Sequence, residues 1–89
     1  MNSAINFVEF ENQVVSATYR NLMVGASVVL VDHASGLQLL EPVTRIASRL
    51  PVGSVRIRLP ASVKAGTYFL RALNGHGSHV AQSAQFDIP

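Results

Sequence analysis

The feature that most constrains this chain is the stretch Ser54 to Leu59, where Val55, Ile57 and Leu59 alternate with Ser54, Arg56 and Arg58. A period of two places alternate side chains on opposite faces of a strand, so this segment reads as half-buried β-structure, apolar inside and basic outside. Pro51-Val52-Gly53 precedes it and Pro60 follows it, so strand breakers bound it on both sides. A helix, with its period of 3.6, would scatter these three apolar residues around its surface.

The same period recurs along the chain. Val14 to Tyr19 puts Val15, Ala17 and Tyr19 inward, and Ala26 to Asp32 is a β-branched run holding Val28, Val29, Leu30 and Val31. Ile5 to Phe10 reads as a strand with two apolar faces, Ile5 and Phe7 on one, Val8 and Phe10 on the other. Asp32 to Gly36 is a turn, after which Leu37 to Leu40 returns as a short strand. Val43 to Leu50 fits an irregular crossover with one short helix or edge strand. Thr67 to Leu73 is rich in β-formers and leads into Asn74-Gly75-His76-Gly77, the strongest turn signal in the chain. The segment Tyr68 to Ile88 is therefore expected to be a β-hairpin. Its return arm would place Val80, Gln82, Ala84, Phe86 and Ile88 on one face, and Ala81, Ser83, Gln85 and Asp87 on the other.

About seven strands separated by turns at roughly 8–12-residue spacing predict an all-β fold, an immunoglobulin-like β-sandwich of two antiparallel sheets. The 89 residues suit one domain, 1–89. Apolar residues make up 48% of the chain and charged residues only 13%, which leaves apolar surface for a partner or neighbouring domain. There is no cysteine, hence no disulfide and no thiolate metal site. No run is long enough to insert in a membrane as a helix, and the first residues do not read as a signal peptide.

The passage Leu59-Pro60 to Ala65-Gly66-Thr67-Tyr68-Phe69-Leu70-Arg71 resembles immunoglobulin-like and fibronectin-III-like domains. Continued through Asn74-Gly75 to Gln85-Phe86-Asp87-Ile88, it is similar to Ser/Thr-rich anchored cell-wall domains of fungi. With Val28 to Gly36 before it, it is also similar to the C-terminal sorting domains of gliding bacteria. The resemblance implies a non-catalytic accessory role and favours an extracellular or cell-surface setting, while the residues leave the compartment open. It also implies a tyrosine corner at Tyr68, whose hydroxyl would bond nearby backbone.

Catalytic chemistry finds no support in the residue pattern. Serines are plentiful, but none sits in a Gly-x-Ser-x-Gly elbow, and the few acids form no acid/base motif. His76 and His79, with His33 beside Asp32, would need to converge to hold a metal. In a sandwich the two turns fall at opposite ends, roughly 17–20 Å apart, against a Zn–N bond of about 2.1 Å. No metal and no cofactor is therefore expected. Arg56 and Arg58 share a face but have no interleaved aromatic residue, which argues against nucleic acid. A glycan would want exposed rings, yet there is no Trp, Tyr19 and Tyr68 read inward, and Phe69 stands alone.

Two interaction readings remain. If Tyr68, Leu70 and Ala72 face inward, then Phe69, Arg71 and Leu73 face outward beside Val29 and Val31 of the neighbouring strand. The five would form an exposed apolar patch around an arginine, suited to self-association or to docking a protein. A covering segment, Leu37–Leu50, is the competing expectation. The alternative site is the loop end, where Arg20, Asn21, Arg49, Asn74 and His76 would offer polar and cationic groups to a glycan or anionic ligand. Charge is also unevenly divided. Residues 1–41 hold Arg20 against Glu9, Glu11, Asp32 and Glu41, and residues 42–89 hold six cations against Asp87. Such a molecule suits head-to-tail contacts or an anionic partner.

Overall fold

The computed structural model describes residues 3–89, with the side chains of residues 40–43 outside that description. Expectations that rest on the first two residues or on the side chain of Val43 lie outside the described residues. Among the described residues eight strands form: β1 (Ala4–Glu11), β2 (Val14–Arg20), β3 (Ser27–Asp32), β4 (Gln38–Arg45), β5 (Val52–Arg58), β6 (Gly66–Leu73), β7 (His79–Gln82) and β8 (Phe86–Ile88). They make an all-β sandwich of two antiparallel sheets. One sheet has the order β1-β2-β5, the other β4-β3-β6-β7, with β8 also pairing β6.

The alternating stretch behaves as its period requires. Val55, Ile57 and Leu59 are buried, and Ser54, Arg56 and Arg58 are exposed. They meet Val15, Ala17 and Tyr19 from β2 and Val28, Leu30, Tyr68, Leu70 and Ala72 from the opposite sheet in one core. Tyr19 lies over Gly53, its cross-strand partner, so closely that a Cβ at Gly53 would come within 2.5 Å of the tyrosine oxygen. β1 and β2 are joined by Asn12 and Gln13, with φ of 53° and 65°, the two positive angles of a type I′ hairpin turn.

Strict alternation breaks at several points among the described residues, two of which change which side chains face the core. In β1, Asn6 pairs Thr18 and Glu9 pairs Ser16, so three steps along β1 match two along β2. The additional residue is a bulge, which shifts the phase of everything beyond it. Ile5, Val8 and Phe10 consequently all pack on the same core, while Phe7 is 82% exposed with φ 53°. The expectation of two apolar faces is thereby corrected: there is one inward face and one expelled aromatic.

The second departure is in the return arm of the hairpin. Arg71 pairs Gln82 but Tyr68 pairs Phe86, three steps against four, so the arm breaks into β7 and β8. Phe86 and Ile88 face inward as expected, but in β7 it is Ala81 that packs on the core, while Val80 is exposed. The break is closed by Ser83. Its hydroxyl accepts from the Leu70 amide at 2.8 Å, its own amide donates to the Leu70 carbonyl at 2.8 Å, and its hydroxyl donates to Ala84. A side chain thus satisfies a buried backbone donor that would otherwise lose about 1–3 kcal/mol.

β4 is longer than the expected Leu37–Leu40 strand, running on to Arg45 at the edge of its sheet. Of the two expectations for Val43 to Leu50, the edge strand is realised up to Arg45, and the segment beyond has no helix. Between Val31↔Gln38 and Val29↔Val43, β3 advances two residues and β4 five.

Candidate functional site

The register brings the expected patch together, and of the two expectations for it burial favours a covered face, although the side chains of residues 40–43 within the expected covering segment Leu37–Leu50 lie outside the described residues. Val29 stands opposite Arg71 and Val31 opposite Phe69. Together with Leu73 they form a second apolar cluster, on the face turned away from the main core. Yet Val29 is 2%, Val31 0% and Phe69 8% exposed, and Leu73 is half-buried. Part of the cover is visible. The Arg71 guanidinium lies over the Phe69 ring, 5.4 Å from its centroid, and His33 meets the same ring edge-on at 6.4 Å. Arg71 Nε is itself buried without a hydrogen-bond partner. Alternation along a strand fixes which face a side chain takes. It does not fix what lies above that face.

The open apolar surface is elsewhere, at the loop end. Pairing of Arg20 with Val52, and of Ser27 with both Arg45 and Leu73, brings loops 21–26, 46–51 and 74–78 to one pole. Asn21 donates its amide to Pro51 at 2.6 Å. Gly25 donates to Ile46, and Ile46 to Ala26, each at 2.8 Å. These bonds hold the first two loops side by side. Between them runs a cleft of about 480 Å³, lined by Asn21, Leu22, Met23, Val24, Arg49, Leu50 and Pro51. Leu22 is buried, whereas Met23 is 80% and Leu50 66% exposed.

Of the five residues expected at this end, Asn21 and Arg49 share the cleft. Arg20 is exposed on β2 between the outward residues of its sheet, at the same pole but not in the lining. Asn74 serves its own turn: its side-chain oxygen accepts from the His76 and Ser78 amides at 2.9 and 3.0 Å. His76 is exposed on that turn. The cleft residues that the sequence reading passed over are Met23, Val24 and Leu50. Their signal was available, since large apolar residues in short loops beside Gly25 and Pro51 have no strand face to fill.

β3 and β6 separate His33 from His76 by the length of a strand, because Asp32 pairs Tyr68 at one end and Ser27 pairs Leu73 at the other. Tyr68 bonds as the resemblance implied, donating its hydroxyl to the Lys64 carbonyl at 2.8 Å. Burial, and then the nearby Asp32 charge, raise its pKa above the ordinary 10.0. The expelled Phe7 shares a shallow depression with Arg56, Ser16, Thr18 and Glu9 on the outer face of the smaller sheet. Arg56 therefore does have an aromatic neighbour, and an acid in the same depression opposes a polyanion. Neither a protein-family model nor a curated protein matches the chain.

Proposed function

We propose that this chain is a non-enzymatic interaction module whose loop pole docks a protein partner. The observation that carries the reading is the cleft between residues 21–24 and 49–51. Exposed Met23, Val24 and Leu50 flank Arg49 there, and the bonds at Asn21 and Gly25 pre-form the walls. Exposed apolar side chains around an arginine are the composition of an interface centre. The pole is also one-signed. Arg20, Arg45 and Arg49 flank the loops, and residues 20–27, 45–53 and 73–79 contain no Asp or Glu. A partner with acidic and apolar side chains fits both properties. A glycan fits less well, because no aromatic ring lines the cleft.

The module is of immunoglobulin-like build in this reading. Strands β1-β2-β5 correspond to A, B and E, strands β3, β6 and β7 to C, F and G, and Tyr68 takes the place of the tyrosine corner. An amide NMR titration with a short peptide alternating leucine and glutamate tests the docking site. Shifts confined to Asn21–Val24 and Arg49–Leu50 are expected. No shifts, or shifts centred on Val29 and Phe69, would sink the reading.

A further inference from the structure

We infer that the partner of the loop pole is the opposite pole of a second copy of this chain, joined head to tail. The inference rests on the docking role just given to the loop pole. It adds the identity of the partner, from charge placement.

Charge is also unevenly divided along the strands, with the acids gathered at one pole among Arg56, Arg58 and Lys64, and the other pole free of acids in its loops. The far pole holds the end of β1 at Glu11, the end of β3 at Asp32, and Asp87 in β8 opposite Thr67. Glu9 lies one turn of the pleat further in. Arg56, level with Glu9 across Ser16, and Arg58 and Lys64 are the cations there, so four acids face three bases. The loop pole has three arginines and no acid in its three loops and their flanks. Each pole is thus complementary to the other and repels its own kind.

Shape agrees with charge. The far pole has a hollow of about 380 Å³ bordered by Asp32, Leu39, Val63, Lys64 and Tyr68. It combines an acid with apolar walls, and Lys64 stands on its border. Leu50 and Met23 stand out from the loop pole beside Arg49, the matching combination of apolar side chain and cation. A contact of this kind uses two different patches, so it is heterologous and propagates into open chains of copies rather than closing as a two-fold dimer.

Sedimentation velocity over a concentration series tests this, at low and at high salt. Mass should grow without a dimer plateau, and high salt should reverse the growth. The R49A/L50N double variant disables the loop pole and D32K disables the far pole. Each alone should stay monomeric, with an unchanged amide NMR spectrum away from the substituted pole as evidence of folding. Mixed together, they retain one intact pole each and should form a 1:1 complex that grows no further. A symmetric dimer would not be restored by mixing, and that result would overturn the head-to-tail contact. A protein that is monomeric at all concentrations would overturn it too. Continued binding of the leucine–glutamate peptide by that monomer would leave the docking site itself standing.

Discussion

The outer face of the larger sheet and the loop pole both carry apolar residues around an arginine, and the molecule treats them in opposite ways. On the sheet face, Val29, Val31 and Phe69 are closed off, with Arg71 laid across the ring. At the pole, Met23, Val24 and Leu50 stand in solvent beside Arg49. Composition is nearly the same, so it cannot be what separates a core from an interface. The difference lies in position. The outer face of β3 and β6 is covered from above, as where Arg71 and His33 meet the Phe69 ring, whereas Met23, Val24 and Leu50 are exposed.

The sharpest way to break this contrast is a charge on the closed face. Val31→Asp should cost about 3–5 kcal/mol, because it buries a carboxylate without a partner, and in a small domain that approaches the whole stability. Urea denaturation measures it, and a fully folded, equally stable variant would show the face to be open. On the inward side of the neighbouring strand β6, Tyr68→Phe should cost about 1 kcal/mol through the lost bond to Lys64. It should also alter the alkaline limb of stability. The folded state holds the Tyr68 proton more tightly than the unfolded chain does, so this contribution is complete below about pH 10 and is lost as pH rises through the raised pKa. The Phe variant should lose that part of the dependence in thermal melts taken between pH 9 and 11. Arg71→Met should raise stability by up to about 1 kcal/mol, since it removes a buried unpartnered Nε while keeping contact with Phe69. A clear loss of stability would mean that the cation–ring contact outweighs the orphaned donor. Leu50→Asp at the open pole should change stability by less than about 0.5 kcal/mol, and it should abolish docking. Parallel melts and sedimentation runs on that variant separate the two effects.

The fold was legible wherever a period of two ran unbroken. Ser54 to Leu59 fixed one strand and its inward face, and Asn74 to Gly77 fixed the turn that reverses β6. Reading failed where a single additional residue entered a strand. Nothing in Ala84 or Gln85 announces the break that turns Ala81 inward, and nothing in Val80 announces the second shift that leaves it unpaired between Ala81 and His79. β1 did carry a warning. Apolar residues at 5, 7, 8 and 10 cannot share one face of a regular strand, and an expelled residue resolves the conflict. At the candidate site, facing was legible, and the sequence left an open face and a covered one as alternatives, of which burial of Val29, Val31 and Phe69 favours the covered one. Burial of Val29, Val31 and Phe69 depends on residues distant in sequence, as His33 beside Phe69 illustrates. The polar and cationic side chains drew attention to the loop pole, but its apolar residues were overlooked there.

The break at Ser83 bears on how the molecule opens. β6 is flanked on one side by β3 along its length, and on the other by two short arms that are zipped separately. Each arm can detach without the other, with Ser83 as the stitch between them. Hydrogen exchange should therefore sort the amides of the final ten residues into two groups. Those of β8, which has three paired residues, should exchange at their own rate, and the Leu70 amide held by the Ser83 hydroxyl should be among the last to exchange. Release of the carboxyl-terminal arm would bare Gly66–Tyr68 of β6 as a free strand edge and would withdraw Phe86 and Ile88 from the main core.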